Sequence, residues 1–256
     1  MTHTFSRFVV LLAGACLVSC HSFELAGTTD HQYMMNDSTQ HEIDSAIYRM
    51  ADPYRSQLMK TMGEIICNTS SPLEKGNPEG ALGNFAADVC LEMSNRILST
   101  QQQSKADVAI LNNGGLRKSL PQGSVTLSDI FEVFPFENQV VVLTCNGTLV
   151  KRIFDFIAVN NGTPISGASF QINRNDHSAE TILIGGLPLD TARNYRVVTV
   201  DYLANGGDRF TDFATASKRE ELNIKLRDIM IEYTREQGRT GKVIVPAPSG
   251  RIAYVQ

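Results

Sequence analysis

The side chains that could do chemistry in this 256-residue chain are few, and they gather in loops. Of its five histidines, His3, His21, His31 and His41 fall before the patterned part of the sequence, which leaves His177. A Ser-His-Asp or Cys-His centre would have to be built on His177, yet Asn173-Arg-Asn-Asp-His-Ser178 reads as a solvated polar hairpin. The sequence contains no Gly-x-Ser-x-Gly elbow, no His-x-x-x-His or His-Glu-x-x-His pair and no Gly-x-x-x-x-Gly-Lys-Ser/Thr phosphate loop. By these patterns the chain lacks a reactive centre of its own. Three other loops stand out: Asn112-Asn-Gly-Gly115, Asn160-Asn-Gly-Thr163 and Asn205-Gly-Gly-Asp208. Asn and Gly tolerate positive φ and close backbone approach, which a ligand-facing loop requires and a hairpin requires as well.

The elements that must position these loops follow from apolar spacing. Ile43, Ile47, Met50, Tyr54 and Leu58 recur every three or four residues, so residues 42–60 are expected to form a helix, kinked or broken at Pro53. Further helical stripes are Phe85, Val89, Met93 and Ile97; Leu149, Ile153, Phe156 and Ile157; and Leu222, Leu226, Ile229 and Tyr233, the last ending near Gly238. All four read most simply as core faces. Strand-like runs lie between them at Val108–Leu111, Gln139–Leu143, Ala168–Ile172, Ile182–Ile184, Tyr195–Val200 and Val243–Val245. Helices alternating with strands, with no internal repeat, argue one α/β or α+β domain of about 215 residues.

Composition agrees. A 42% hydrophobic fraction with 20% charged residues suits a globular domain. The net charge of −4 and the absence of any basic run remove the electrostatic footprint of a polynucleotide binder. Residues 1–19 read as a targeting segment, with Arg7 ahead of the apolar run Phe8–Leu17, which is too short to span a bilayer. Leu17-Val18-Ser19-Cys20 resembles the lipobox of bacterial lipoproteins, which implies cleavage before Cys20, lipidation of its thiol and a place in the bacterial envelope. Residues 20–40 are polar and aperiodic, as a tether is, and the folded domain is expected over 41–256. Cys67, Cys90 and Cys145 have no Cys-x-x-Cys spacing and read as buried thiols, with one bridge left open.

Beyond these readings, a set of ordered segments closely resembles the C-terminal, substrate-recognition domain of 5'-nucleotidases. They are Leu82-Gly-Asn-Phe-Ala-Ala-Asp88, Asp107-Val-Ala-Ile-Leu-Asn-Asn-Gly-Gly-Leu-Arg117, Gly123-Ser-Val-Thr-Leu-Ser-Asp-Ile130, Phe134-Pro-Phe-Glu-Asn138, Leu143-Thr-Cys-Asn-Gly147, Tyr202-Leu-Ala-Asn-Gly-Gly-Asp208 and Ser249-Gly-Arg-Ile252. The resemblance implies a single layered α/β/β/α domain that grips a nucleoside or nucleoside 5'-phosphate. It implies a base between the rings of Phe136 and Tyr202, Asn138 and Asp208 hydrogen-bonded to base and ribose, and Arg117 toward the phosphate. Tyr202 stands where the family often has Phe.

The family's metallophosphatase motifs are not found in this sequence, and Gly76-Asn-Pro-Glu-Gly-Ala81 replaces a stretch where the family often carries arginines. The resemblance therefore implies no cofactor in this chain and divalent metals on a partner metallophosphatase. The leading expectation is the nucleotide-recognition half of a split 5'-nucleotidase on a lipid anchor. The alternatives are a non-catalytic nucleoside- or nucleotide-binding lipoprotein, and a domain that keeps the fold only for protein contacts.

Overall fold

A computed structural model describes residues 45–246 and 250–256. The leader, Cys20, the tether, Ile43 and Ser249 lie outside these residues. Chain contacts divide the molecule between Asp52 and Pro53. Of the first unit, the described residues 45–52 are the opening turns of helix α1 (Ser45–Met62), whose remaining turns open the second unit. Of the kink or break expected from sequence, the break does not occur, and α1 runs on through Pro53. The carbonyl it leaves without a helical donor lies on an exposed helix, where water can take the bond. No residue of α1 is buried: Ile47, Met50, Tyr54 and Leu58 are all exposed. The stripe is thus not a core face within the described structure. Periodicity reports an apolar face, not what covers it.

The second unit is a mixed α/β fold. Its strands are β1 (Ile65–Thr69), β2 (Val108–Ile110), β3 (Gly123–Thr126), β4 (Gln139–Asn146), β5 (Ile165–Ser166), β6 (Ala168–Asn173), β7 (Ala179–Ile184), β8 (Leu187–Pro188), β9 (Asn194–Val200), β10 (Lys218–Lys225), β11 (Val243–Ile244) and β12 (Ile252–Val255). Its helices are α2 (Ala81–Thr100), α3 (Leu127–Val133), α4 (Gly147–Val159), the single turn α5 (Asp201–Ala204) and α6 (Leu226–Arg239). The strands form three sheets, ordered β11-β1-β3, β10-β4-β9-β2-β5 and β12-β6-β7-β8.

The middle sheet carries the core. Val140–Leu143, Val197, Val198, Val200 and Val108–Ile110 are buried on both faces of their strands. Such unbroken apolar runs, rather than alternating ones, mark strands covered on two sides. Helix α2 packs on β2, β5 and α6, with Phe85, Val89 and Met93 buried and the Phe85 ring edge-on to Tyr233 of α6, and α4 packs on β4 and β7, with Leu149, Ile153 and Ile157 buried. Among the described residues, two helix starts carry side-chain caps. Asn146 Oδ1 accepts the Leu149 N–H at 2.8 Å to open α4, and Thr126 with Asp129 forms a reciprocal capping box at the start of α3.

Two differences from the sequence reading have plain causes. Leu222 is not the first turn of a helix: it is the one buried residue of β10, which pairs antiparallel with β4, and α6 begins at Leu226. A four-residue spacing across the strand-helix junction imitated one helical stripe. The charged sequence Lys-Arg-Glu-Glu-Leu-Asn-Ile-Lys hides a strand because it forms a sheet edge, where charges discourage further pairing. The closing strand is held from afar: Arg251 donates to both oxygens of Asp88 at 2.8 and 2.7 Å and to the Ile165 carbonyl at 2.8 Å. Asp88 also accepts from the Ser166 hydroxyl at 2.6 Å. Two segments that share no sequence neighbourhood are joined by one forked ion pair.

Cys67, Cys90 and Cys145 are free and buried. Burial pushes their thiols up from 9.0 to about 11, about 12 and about 12 respectively. A thiol whose folded pKa is raised favours the folded state below pH 9, and that contribution is lost as pH rises from 9 toward 11–12, because only the unfolded chain ionises there. Native protein at pH 8 is therefore expected to leave these three cysteines unalkylated, and stability is expected to fall above about pH 9, less steeply in a Cys90→Ala variant. Site-resolved mass spectrometry and urea unfolding across pH 8–11 check both; prompt labelling of folded protein contradicts the assignment.

Candidate nucleoside-binding site

Sheet order assembles the site. Strands β2 and β9 run parallel, with Ala109 opposite Val198, and β4 runs antiparallel to β9, with Val140 opposite Val200. The chain therefore leaves β2 and β9 and enters β4 at one end of the sheet. That end receives the segment after Ile110, the segment after Val200 and the segment before Gln139. These are the three segments that hold the five candidate residues.

Arg117, Phe136, Asn138, Tyr202 and Asp208 all line one hollow of about 290 Å³. Phe136 and Tyr202 are 47% and 44% exposed, so both aromatic side chains are open to a ligand. The Arg117 guanidinium carbon lies 5.9 Å from the centroid of the Phe136 ring, at the outer reach of a cation-π contact. His177 stands apart, exposed in the turn between β6 and β7 with φ +58°. Among the described residues no group of three or more His, Cys, Asp or Glu is placed to hold a metal ion.

The sequence reading singled out the loops but missed several residues that build the hollow. Asn112 also lines it, and its amide donates to Asp208 Oδ2 at 2.6 Å. Gly115 leaves room for it, since a Cβ there would stand 2.8 Å from Asn112 Oδ1 and the amide would have to shift. Asp201 ties two of the segments together by accepting the Gln139 N–H at 3.1 Å and the Tyr202 N–H at 2.8 Å on one carboxylate oxygen. Below them, Thr199 donates to the Ile110 carbonyl at 2.8 Å and Thr163 to the Leu111 carbonyl at 2.6 Å, fixing the end of β2.

Arg227 is the buried support of Phe136. It donates to the Pro135 carbonyl at 3.0 Å and to Glu137 at 2.9 Å, and its guanidinium lies 4.4 Å from the Phe131 ring centroid. Lys225 reaches the other Glu137 oxygen at 2.7 Å, and these two cations, Lys225 first, hold the Glu137 carboxyl below the usual carboxylate range. Nothing in the α6 periodicity distinguishes this arginine from a surface one. Beside the main hollow, Lys75, Gly76 and Asn77 share a second of about 240 Å³ with Asn113, whose amide donates to Asn77 Oδ1 at 3.0 Å. Lys75 thus puts an exposed cation close to the stretch that lacks the arginines.

Residues 60–215 match the family model described as 5'-nucleotidase, C-terminal domain. The chain belongs to that family. A 5'-nucleotidase of Vibrio cholerae is 25% identical over 239 residues, covering 90% of this chain and 41% of that protein. The cell wall protein Lmo0130 of Listeria monocytogenes is 27% identical over 208 residues, 75% of this chain and 26% of that protein. Among solved structures, a 5'-nucleotidase precursor of Thermus thermophilus superposes with a TM-score of 0.68 at 25% identity, over 83% of this chain and 44% of that one. This chain thus spans less than half the length of each. Within the 5'-nucleotidase C-terminal fold, the hollow described above lies at one end of the middle sheet, on loops that a rigid scaffold presents.

If Arg227 supports the Phe136 loop, Arg227→Met is expected to destabilise the protein by about 1–3 kcal/mol, the usual penalty when carbonyls lose a charged donor. Hydrogen exchange is expected to quicken at Phe134–Asn138 and to stay unchanged at the β6–β7 hairpin. Equal quickening at both would contradict a local supporting role.

Proposed function

We propose that this chain is the nucleotide-recognition half of a 5'-nucleotidase, holding a nucleoside or nucleoside 5'-phosphate for hydrolysis by a metallophosphatase supplied on a separate chain. The observation that carries this reading is the convergence of two exposed aromatic rings, an amide and a carboxylate in a single hollow. Aromatic faces accept any base by stacking, at roughly 1–3 kcal/mol per base. On this reading the base lies between Phe136 and Tyr202, the Asn138 amide meets the base edge, and Asp208 accepts from the ribose hydroxyls. Arg117 is the donor nearest the stack for a phosphate, where a forked guanidinium suits paired oxygens. Lys75 lines the neighbouring hollow rather than this one, so a phosphate preference on this reading rests on Arg117.

The divalent metals belong to the partner on this reading, where they supply an activated water. This chain's residues bind and orient. Attachment of Cys20 to lipid would hold the domain at a bacterial envelope, and the likeness to a cell wall protein supports that placement. The second reading is a binding lipoprotein without turnover.

Calorimetric titration of the full chain with nucleosides and nucleoside 5'-monophosphates tests the site. Binding is expected to be tighter for the monophosphate, and Phe136→Ala is expected to weaken it by about 5- to 150-fold, the equivalent of one stacking contact. Unchanged affinity in that variant would remove the stacking assignment. Phosphate release is expected only after a metallophosphatase and a divalent cation are both added; binding without release under that condition favours the second reading.

A further inference from the structure

The Tyr202 hydroxyl makes a contact that a phenylalanine could not. It donates to Asp208 Oδ1 at 2.8 Å and accepts the Asp208 backbone N–H at 3.2 Å, so it clasps the residue at both ends. The other carboxylate oxygen, Oδ2, takes the Asn112 amide at 2.6 Å. The clasp holds a backbone that resists its own conformation: Asp208 and Arg209 have φ of +49° and +67°. The ring itself is seated against Gly207, where a Cβ would come within 2.6 Å of the Tyr202 ring carbons. Ring, loop and carboxylate are therefore bonded into one unit.

The count of acceptor sites gives this unit a purpose. An ionised carboxylate offers about four lone-pair sites, two on each oxygen. Tyr202 takes one site on Oδ1 and Asn112 one on Oδ2. One site is left on each oxygen, which suits the two vicinal hydroxyls of a ribose. Resting on the nucleoside reading above, we propose that the Tyr202 hydroxyl is a positioning group that presents Asp208 to the ribose cis-diol and so makes the site selective for ribonucleosides over those lacking the diol. The bond to Asp208 also holds the phenol above its ordinary pKa, so the hydroxyl keeps its proton and remains a donor.

The test is a double-mutant cycle on the full chain with paired ligands. Adenosine, guanosine, uridine and cytidine are titrated beside their 2',3'-dideoxy counterparts, and the tightest pair is carried into Tyr202→Phe, Asp208→Asn and the double variant. Tyr202→Phe keeps the stacking ring, so dideoxynucleoside affinity is expected to fall less than ribonucleoside affinity, while circular dichroism and urea unfolding report an intact fold. Its preference for the ribonucleoside is expected to fall about three- to tenfold, the scale of one hydrogen bond. In the Asp208→Asn background the same change is expected to have no further effect on that preference. An unchanged ribose preference in Tyr202→Phe, an equal loss for both ligands, or tighter ribonucleoside binding overturns the positioning role. So does a wild type that binds both members of each pair alike. A wild type that binds no nucleoside at all removes the nucleoside reading itself, a distinct outcome.

Discussion

The parallel pairing of Val108–Ile110 with Asn194–Val200 is the constraint on which the site depends. Parallel neighbours must deliver their C-terminal ends to the same side of a sheet, and an antiparallel third strand delivers its N-terminal end there. With β4 beside β9, residues about ninety positions apart are brought to one rim without any of them contributing to the core. The apolar strands beneath are buried and interchangeable in kind, mostly Val and Ile. They set where the loops begin and leave the loops free to carry polar chemistry.

What turns that rim into a shaped hollow is a second tier of polar bonds. Asp201 joins the start of β4 to the end of β9, Thr199 and Thr163 hold the end of β2, and Arg227 holds the carbonyl before Phe136. Each of these groups bonds backbone, so each fixes where a loop runs rather than what it recognises. Thr163 and Thr199 are buried, and there a hydrogen bond is costly to lose because no water replaces it. The recognising side chains are the reverse: Phe136 and Tyr202 keep nearly half their surface open. Rigidity and exposure are thus divided between neighbouring residues.

This division explains what could be read from the sequence. The helices α2 and α4 and the strands β2, β4, β6 and β9 announce themselves because their buried residues are apolar, periodic in the helices and in β6 and unbroken in β2, β4 and β9. The five candidate residues are legible only through the resemblance of whole segments, since Asn138 or Asp208 alone reads as a turn former. The supporting residues stay hidden. Arg227 looks like any charge on a helix, and Asp201 looks like the first residue of a turn; their roles exist only once distant segments meet. Strand β10 escapes a pattern search because its edge position calls for charge instead of alternation. Helix α1 shows the opposite failure, a stripe that pattern alone assigns to a core and that the described structure leaves exposed.

The site is also uneven in how firmly its charges are held, and that unevenness bears on what it can discriminate. Asp208 is bonded through both oxygens and its backbone, whereas Arg117 has only a 3.5 Å contact to the Gly114 carbonyl and a distant ring. A fixed acceptor rewards correct geometry, because a misplaced hydroxyl cannot draw it along. A loosely bonded cation attracts any anion within reach and imposes little angle. On the proposed reading, then, base and ribose determine where the ligand sits, and the phosphate follows from them. A module that orients one end of a nucleotide while leaving the phosphate loosely attended suits chemistry done by metals elsewhere, since the metal site can impose its own geometry on the phosphate without opposing a second rigid clamp.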